Sequence, residues 1–179
     1  MALRRAAVVI AAALVMIAAA CASTPTSVTV VSPPRAEFPA VAQALVHGCG
    51  TLDCHGSAFR NLRIYGNEGL RLDPSHRPLS PRCTATEEVN EDFAALTGLE
   101  PTIMSAVTTS GGATPDALLF VRKARGSEHH KAGAVVVVGD DLDVCLTSWL
   151  TGTTDVDACR RAAPPTYPIT MPAFCDTGP

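Results

Sequence analysis

Apolar residues recur at helical spacing in several separate stretches of this chain. In the first stretch, from Phe38 to Val46, they lie three and four residues apart, and Pro39 suits the first turn of a helix. The apolar pattern stops at Val46, two residues before Gly48. The sequence therefore predicts a helix that leads directly into Cys49.

Four later stretches also predict helices, and one segment between them predicts a strand. The residues Ala134 to Val138 are apolar and mostly β-branched between two glycines, which indicates a buried strand-like piece. Five prolines from Pro164 onward exclude a helix at the C-terminus. The fold class predicted is mostly α, a small helical domain with long irregular connections. The four helices are expected from Thr84 or Thr86 to Gly98, over 101–107, from Pro115 to Val121, and from Asp140 or Asp141 to Gly152.

The N-terminus has the features of an export signal. Arg4 and Arg5 precede an uncharged apolar run over 6–20, which is too short for a comfortable membrane span. The small residues before Cys21 resemble a bacterial lipobox, so we expect 1–20 to be a signal peptide and Cys21 to be lipidated; ordinary cleavage near Ala20 is the alternative. Ser23, in place of aspartate, resembles outer-membrane sorting. Residues 21–36 then form a tether, and the expected location is the cell envelope, on the outer membrane facing the periplasm.

Composition narrows the function classes. Without residues 1–20 the chain keeps 159 residues, enough for one domain, and its charge is −5, from 12 basic and 17 acidic residues. This balance argues against nucleic acid as a partner and against electrostatic binding to anionic lipid. Aromatic residues make up 4% of the chain, so a buried macrocycle or disulfides would help to complete the core.

The segment from Cys49 to His55 carries the strongest chemical signal. Two cysteines followed by a histidine resemble the haem-attachment signature C-x-x-C-H, but here four residues separate the cysteines. In that signature the thiols form thioethers with haem and the histidine binds the iron. Gly50 would let the wider loop close. The alternative is a small disulfide between Cys49 and Cys54, with His55 on the surface.

The remaining cysteines predict disulfides in the C-terminal half. If haem takes Cys49 and Cys54, four cysteines remain for two bridges; without haem, six form three bridges. We expect Cys145 or Cys159 to pair with each other or with the tail, and Cys83 to take the remaining partner. The candidates are Cys83, Cys145, Cys159 and Cys175.

Short motifs in chain order, over residues 40–152, resemble the planctomycete-type cytochrome c domain. They are most similar to bacterial lipoproteins with the same widened C-x4-C-H motif. The resemblance implies one covalent haem c on Cys49 and Cys54, with His55 as the proximal iron ligand. Arg60, Arg63 and Arg71 could then pair with the haem propionates or be ordinary solvated charges. The motifs are Cys54-His55-Gly56, Leu62-Arg63, Gly69-Leu70-Arg71-Leu72-Asp73, Pro115-Asp116-Ala117-Leu118-Leu119, His130-Lys131-Ala132-Gly133, and 145–152.

The distal iron ligand is where the chain departs from this family. The methionine-proline pair expected ahead of the last helix is replaced by 128–131, which contains His129 and His130. We expect His130, just before the Lys-Ala-Gly turn, to be the ligand, because imidazole suits low-spin iron better than an acid or an ammonium group. Met171, which precedes a proline after the last helix, is the second choice. Two exposed histidines without a ligand role are the alternative.

Two functions follow as hypotheses. The first is a lipid-anchored monohaem cytochrome that carries electrons in the cell envelope, with a redox protein as partner. No enzymatic activity is expected, and a haem-enzyme role is the alternative left open. The second is a haemless, disulfide-stapled lipoprotein that acts as a binding or structural module. The expected organisation is a signal peptide 1–20, a tether 21–36, a cytochrome c-like domain 37–152, and a Pro-rich tail 153–179 packed on the domain.

Overall fold

The computed structural model describes residues 29–80 and 83–163, together with the backbone of 174–175. In this part the protein is mostly helical, which confirms the predicted fold class. Short 3-10 helices, Arg35–Glu37 and Pro115–Ala117, precede the first and fourth α-helices, and β1 (Thr84–Ala85) pairs in parallel with β2 (Phe174–Cys175). The α-helices are α1 Phe38–Gly48, α2 Thr86–Gly98, α3 Pro101–Thr109, α4 Leu119–Ala124, α5 Asp141–Thr151 and α6 Val156–Ala162.

Capping residues fix the ends of α5 and α6. The Asp140 carboxylate accepts the N–H of Asp143 at 2.8 Å, and Gly152, at φ 87°, ends α5 in the left-handed conformation that glycine adopts without strain. Asp155 caps α6 in the same way, through the N–H of Ala158 at 2.8 Å. The limits predicted for α5, from Asp140 or Asp141 to Gly152, are therefore correct.

The core is built around α1, which packs against α2, α5 and α6. Phe38 of α1 meets Phe93 of α2 and Trp149 of α5, with ring centres 5.3 and 5.0 Å apart. Trp149 is fully buried, and its indole N–H donates to the Pro34 carbonyl oxygen at 3.2 Å. This contact anchors the end of the predicted tether to the last helix of the predicted domain.

A buried ion pair joins the long loop after α1 to α2. The Arg71 guanidinium donates to both carboxylate oxygens of Glu88, at 2.8 and 3.1 Å, and to the Cys83 carbonyl at 2.9 Å. Glu88 also accepts the backbone N–H of Ala85 at 2.8 Å. Arg71 is thus neither a solvated charge nor free to bind a propionate.

Two parts of the predicted secondary structure are wrong. The segment 134–138 is not a strand: only Val136 is buried, while Val137 and Val138 are about 70% exposed. The N–H of Val137 donates to the Asp140 carboxylate at 2.7 Å, so it belongs to a turn and not to a ladder. Helix α6 was not expected, because its seven residues contain too few apolar positions to display a period.

None of the helices in the described ranges has the length and the apolar character that a bilayer span requires. The predictions for residues 1–20, for Cys21 and for Met171 lie outside the described residues.

Candidate functional site

The loop that carries the two cysteines and His55 is a compact turn at the end of α1. The N–H of Cys49 extends the helix by donating to the Leu45 carbonyl at 2.8 Å. The Cys49 carbonyl then accepts the N–H of His55 at 2.8 Å, and the Cys54 N–H donates to the Thr51 carbonyl at 2.9 Å. These bonds close the widened spacing, so the chain from Cys49 to His55 returns on itself instead of spanning an open loop.

Three glycines allow this turn to pack closely against the next loop. The Gly50 carbonyl oxygen lies so close to Gly56 and Gly69 that a Cβ on either residue would overlap it. Only glycine provides room for backbone to approach backbone in this way. The position of His55, next to Gly56, therefore depends on close contacts between three loop positions.

Cys49 and Cys54 are both free thiols and are both partly buried. Burial, with a smaller electrostatic contribution from Cys54, raises the pKa of the Cys49 thiol to about 11. Cys49 is therefore held as a neutral thiol near neutral pH. The effect of Cys54 on Cys49 also means that the two sulfurs are within electrostatic range of each other.

The ring of His55 is oriented by the backbone of the next loop. Its Nδ1 lies 2.9 Å from the Leu62 carbonyl oxygen, which can only accept a hydrogen bond, so Nδ1 must carry the proton. In the neutral ring Nε2 is then left with its lone pair. Metal-ligating histidines in proteins are typically held in this way, with the other ring nitrogen bound to a carbonyl or carboxylate.

The ring of His130, which faces that of His55, is also held by a backbone carbonyl. Its Nδ1 lies 3.0 Å from the Gly133 carbonyl oxygen, which again assigns the proton to Nδ1 and leaves Nε2 as an acceptor. The rings of His55 and His130 are nearly parallel, at 7°, with their centres 6.0 Å apart. Two residues far apart in sequence thus present imidazoles of the same tautomer to each other.

The separation of the two rings suits a shared metal ion. An imidazole nitrogen lies about 1.2 Å from the ring centre and binds a metal such as zinc at about 2.0–2.1 Å, so two opposed ligands have centres about 6.5 Å apart. The observed 6.0 Å is close to this value. It is also within the range of an offset pair of stacked rings, about 4.5–7 Å, which requires no ion.

Both histidines and both cysteines line one cavity of about 410 Å³. This volume is in the range of ligand pockets, about 300–1,000 Å³. Most of its other walls are apolar, so it suits a large apolar group with metal-binding capacity at its centre. The apolar lining residues are Leu45, Phe59, Leu62, Ile64, Leu96, Leu99, Leu119, Phe120, Ala124, Ala132, Val135 and Leu146.

Two basic side chains, Arg60 and Lys123, also reach the cavity wall. Arg60 donates to the carbonyls of Cys54 and Asp53, at 3.1 and 2.9 Å, and so braces the turn before His55. Lys123 donates to the His129 carbonyl at 2.7 Å, next to His130. Each cation therefore stabilises the backbone beside one histidine. Arg63 is exposed and is not part of the wall.

The structure separates the candidates for the distal position. His130 lines the cavity, whereas His129 is exposed and does not. Glu128 forms an ion pair with Arg122 at 2.9 Å, and Lys131 is exposed. Met171, the second choice, lies outside the described residues. In the described part, no cluster of three or more His, Cys, Asp or Glu side chains is arranged to hold a metal ion.

The expected disulfides are found in part. Cys145 and Cys159 are bonded to each other, which confirms that a disulfide ties the C-terminal region to the domain. Cys83 is also disulfide-bonded. The side chain of Cys175 is outside the described part; its backbone, in β2, lies opposite Ala85.

Sequence reasoning missed the groups that support the site. The Leu62 and Gly133 carbonyls orient the two histidines, and a backbone acceptor leaves no trace in a sequence pattern. The contacts of Gly50 with Gly56 and Gly69 were equally hidden, although the glycines themselves were visible. The only usable signal was Gly133, three residues after His130.

Comparisons with protein-family models, with curated proteins and with solved structures find no match to this chain.

Proposed function

We propose that this protein is a c-type cytochrome-like electron carrier with one haem in the cavity between His55 and His130. Cys49 and Cys54 would hold the haem through thioether bonds, and His55 and His130 would bind its iron. When bound, haem c supplies a one-electron iron couple. The residues of the chain orient the two imidazoles, exclude water with apolar walls and provide the thiols.

The observation that carries the proposal is the pairing of His55 with His130. Both rings have their proton on Nδ1, both line the same cavity, and their centres are 6.0 Å apart with nearly parallel planes. His55 was selected from the C-x4-C-H motif and His130 from the family resemblance, which predicts that both bind one iron, and their closeness supports that expectation. Free thiols at Cys49 and Cys54 on the wall of the same cavity add the chemistry for covalent attachment.

We further propose that the protein works in the cell envelope, anchored through a lipid on Cys21. The lipobox-like sequence before Cys21 supports this location, as does the disulfide between Cys145 and Cys159, since such bonds persist in oxidising compartments. An electron carrier at this location needs a redox protein as its partner.

The test is to produce the full chain together with the cytochrome c maturation machinery. We expect a Soret band, an α-band after reduction, and haem that stays on the chain in a denaturing gel. His130→Ala should change a six-coordinate low-spin spectrum into a high-spin one that binds added imidazole. His129→Ala is the matched control, because this neighbour is exposed and outside the cavity, and it should leave the spectrum unchanged.

Three results would count against the proposal or part of it. A colourless protein would favour the haemless binding or structural module. A sulfur-to-iron charge-transfer band, abolished by Met171→Ala, would assign the distal position to Met171. If neither His129→Ala nor His130→Ala changed the wild-type spectrum, neither histidine would be a ligand of the iron.

A further inference from the structure

The backbone around His55 has more hydrogen bonds to the rest of the domain, and more buried neighbours, than the backbone around His130. His55 lies in a turn fixed by backbone bonds on both sides, since its N–H donates to Cys49 and its carbonyl accepts the N–H of Ile64, at 2.8 and 2.9 Å. Ile64 and Gly56 beside it are buried. His130 lies in the distal loop, which we define as residues 126–135, and no side chain of this loop is buried.

The distal loop is attached to the domain mainly at its two ends. The N–H groups of Val135 and Val136 donate to the Ala124 carbonyl at 2.9 and 3.0 Å, and at the other end the N–H of Ser127 donates to the Arg122 carbonyl at 3.0 Å. Between these ends, His130 and Gly133 bond to each other and form a turn closed on itself.

Among the described residues, polar contacts near the surface tie the middle of the distal loop to α4. Glu128 forms ion pairs with Arg122 at 2.9 Å and with Lys123 at 3.9 Å, and its N–H donates to the Arg122 carbonyl at 3.3 Å. Lys123 also donates to the His129 carbonyl at 2.7 Å. Exposed ion pairs contribute little to stability. Segments with few buried apolar contacts open most easily, so His130 can move away with its loop while the fold stays intact.

We propose that His130 is a displaceable ligand, and that its withdrawal opens the distal side of the cavity to a small uncharged diatomic molecule such as carbon monoxide or nitric oxide. This inference rests on the proposed function. The protein would then bind a gas at the position that His130 leaves, in addition to carrying electrons.

The wall of the cavity favours this class of ligand. Leu119, Phe120, Val135 and Leu146 are apolar, and a charged ligand would lose much of its hydration among them. The two cations of the wall, Arg60 and Lys123, each use part of their donor capacity on backbone carbonyls. A diatomic molecule without net charge is small enough to enter beside the loop and has little hydration to lose.

The experiment measures carbon monoxide uptake by the reduced full-length holoprotein at neutral pH. If His130 must leave first, the observed rate rises with carbon monoxide concentration and then reaches a plateau set by the departure of His130. In His130→Ala the rate should rise linearly without a plateau. Glu128→Gln, which removes both ion pairs between the distal loop and α4, should raise the plateau rate by roughly 1.5- to fivefold.

Asp157→Asn is the control for the loss of a carboxylate, because it removes an ion pair on α6 that is more exposed and lies away from the cavity, and it should leave the plateau rate unchanged. The inference is overturned if wild-type protein takes up no carbon monoxide while His130→Ala does, or if wild-type uptake shows no plateau. Equal plateau rates for Glu128→Gln and Asp157→Asn would also overturn it. A chain without a Soret band would instead contradict the proposed function.

Discussion

Asp92 is an acidic residue in an environment that disfavours its ionised form. Its side chain is fully buried; one carboxyl oxygen accepts the N–H of Tyr65 at 2.7 Å, and the other, among the described residues, has no hydrogen-bond partner. The pKa of Asp92 is raised from 3.8 to about 8, mainly by burial; the bond from Tyr65 lowers it, and the charges of Glu88 and Glu91 raise it. Asp92 is therefore protonated in the folded protein at neutral pH.

We expect Asp92 to make the protein less stable as pH rises. Between about pH 4 and 8 the folded state binds one proton that the unfolded state has lost, so the free energy of unfolding falls by about 1.4 kcal/mol per pH unit from this group. Its contribution is fully present below pH 4 and is lost as pH rises through 8. Asp92→Asn should abolish this slope, as urea unfolding at several pH values would measure.

Glu91→Gln provides the control for Asp92→Asn. Glu91 is the exposed neighbour of Asp92 on α2, so its replacement should change the slope little. If the free energy of unfolding of wild-type protein and of Asp92→Asn declined in parallel between pH 5 and 8, Asp92 would be ionised in the folded state.

Among the elements, α6 depends on a covalent link. Cys145 of α5 and Cys159 of α6, both buried, are bonded across a separation of 14 residues, and Ala158 beside Cys159 is also buried. Replacing both cysteines by alanine should lower the free energy of unfolding by about 3 kcal/mol, the chain-entropy value for a loop of this length. Urea unfolding under non-reducing conditions measures the change.

The double alanine variant is preferable to chemical reduction, because Cys83 is also disulfide-bonded and would be reduced as well. An unchanged unfolding midpoint would mean that the packing of α6 on α1 is sufficient without the bond.

The elements that could be predicted are those whose own sequence carries enough information. Helix α1 displays its apolar period over three turns, and α5 carries an aspartate cap and a terminal glycine. The segment 134–138 was misread because β-branched residues favour a strand only where neighbouring strands cover them, and here the side chains of Val137 and Val138 face solvent. A covalent bond, and not a period, fixes α6.

In the candidate site, too, some features could be predicted from the sequence and others could not. Cys49, Cys54, His55 and His130 were selected by residue type and local order, which sequence preserves. That His55 and His130 lie close together was expected only through the family resemblance, which makes both of them ligands of one iron. The residues alone do not show it, because it depends on how α4 carries the distal loop back toward α1. Their carbonyl partners at Leu62 and Gly133 are backbone atoms, which any residue provides.

At the scale of the whole molecule, the proposed lipid on Cys21 decides where the protein is found. Cys21→Ser should release the protein from membranes or leave it as an uncleaved precursor, because only the cysteine thiol can accept the lipid. Membrane fractionation, with the mass of the N-terminal peptide, measures both outcomes. If Cys21→Ser is processed and partitions like wild type, the protein is not a lipoprotein.

The neutral state of Cys49 affects the order in which the protein can mature. A disulfide forms through a thiolate, and with a pKa of about 11 only about one Cys49 in ten thousand is ionised at neutral pH. Oxidation that joins Cys145 to Cys159 would thus reach Cys49 slowly once the chain has folded. The burial of Cys49 thus protects this thiol from oxidation in the folded chain, which would keep it available for the haem attachment proposed above.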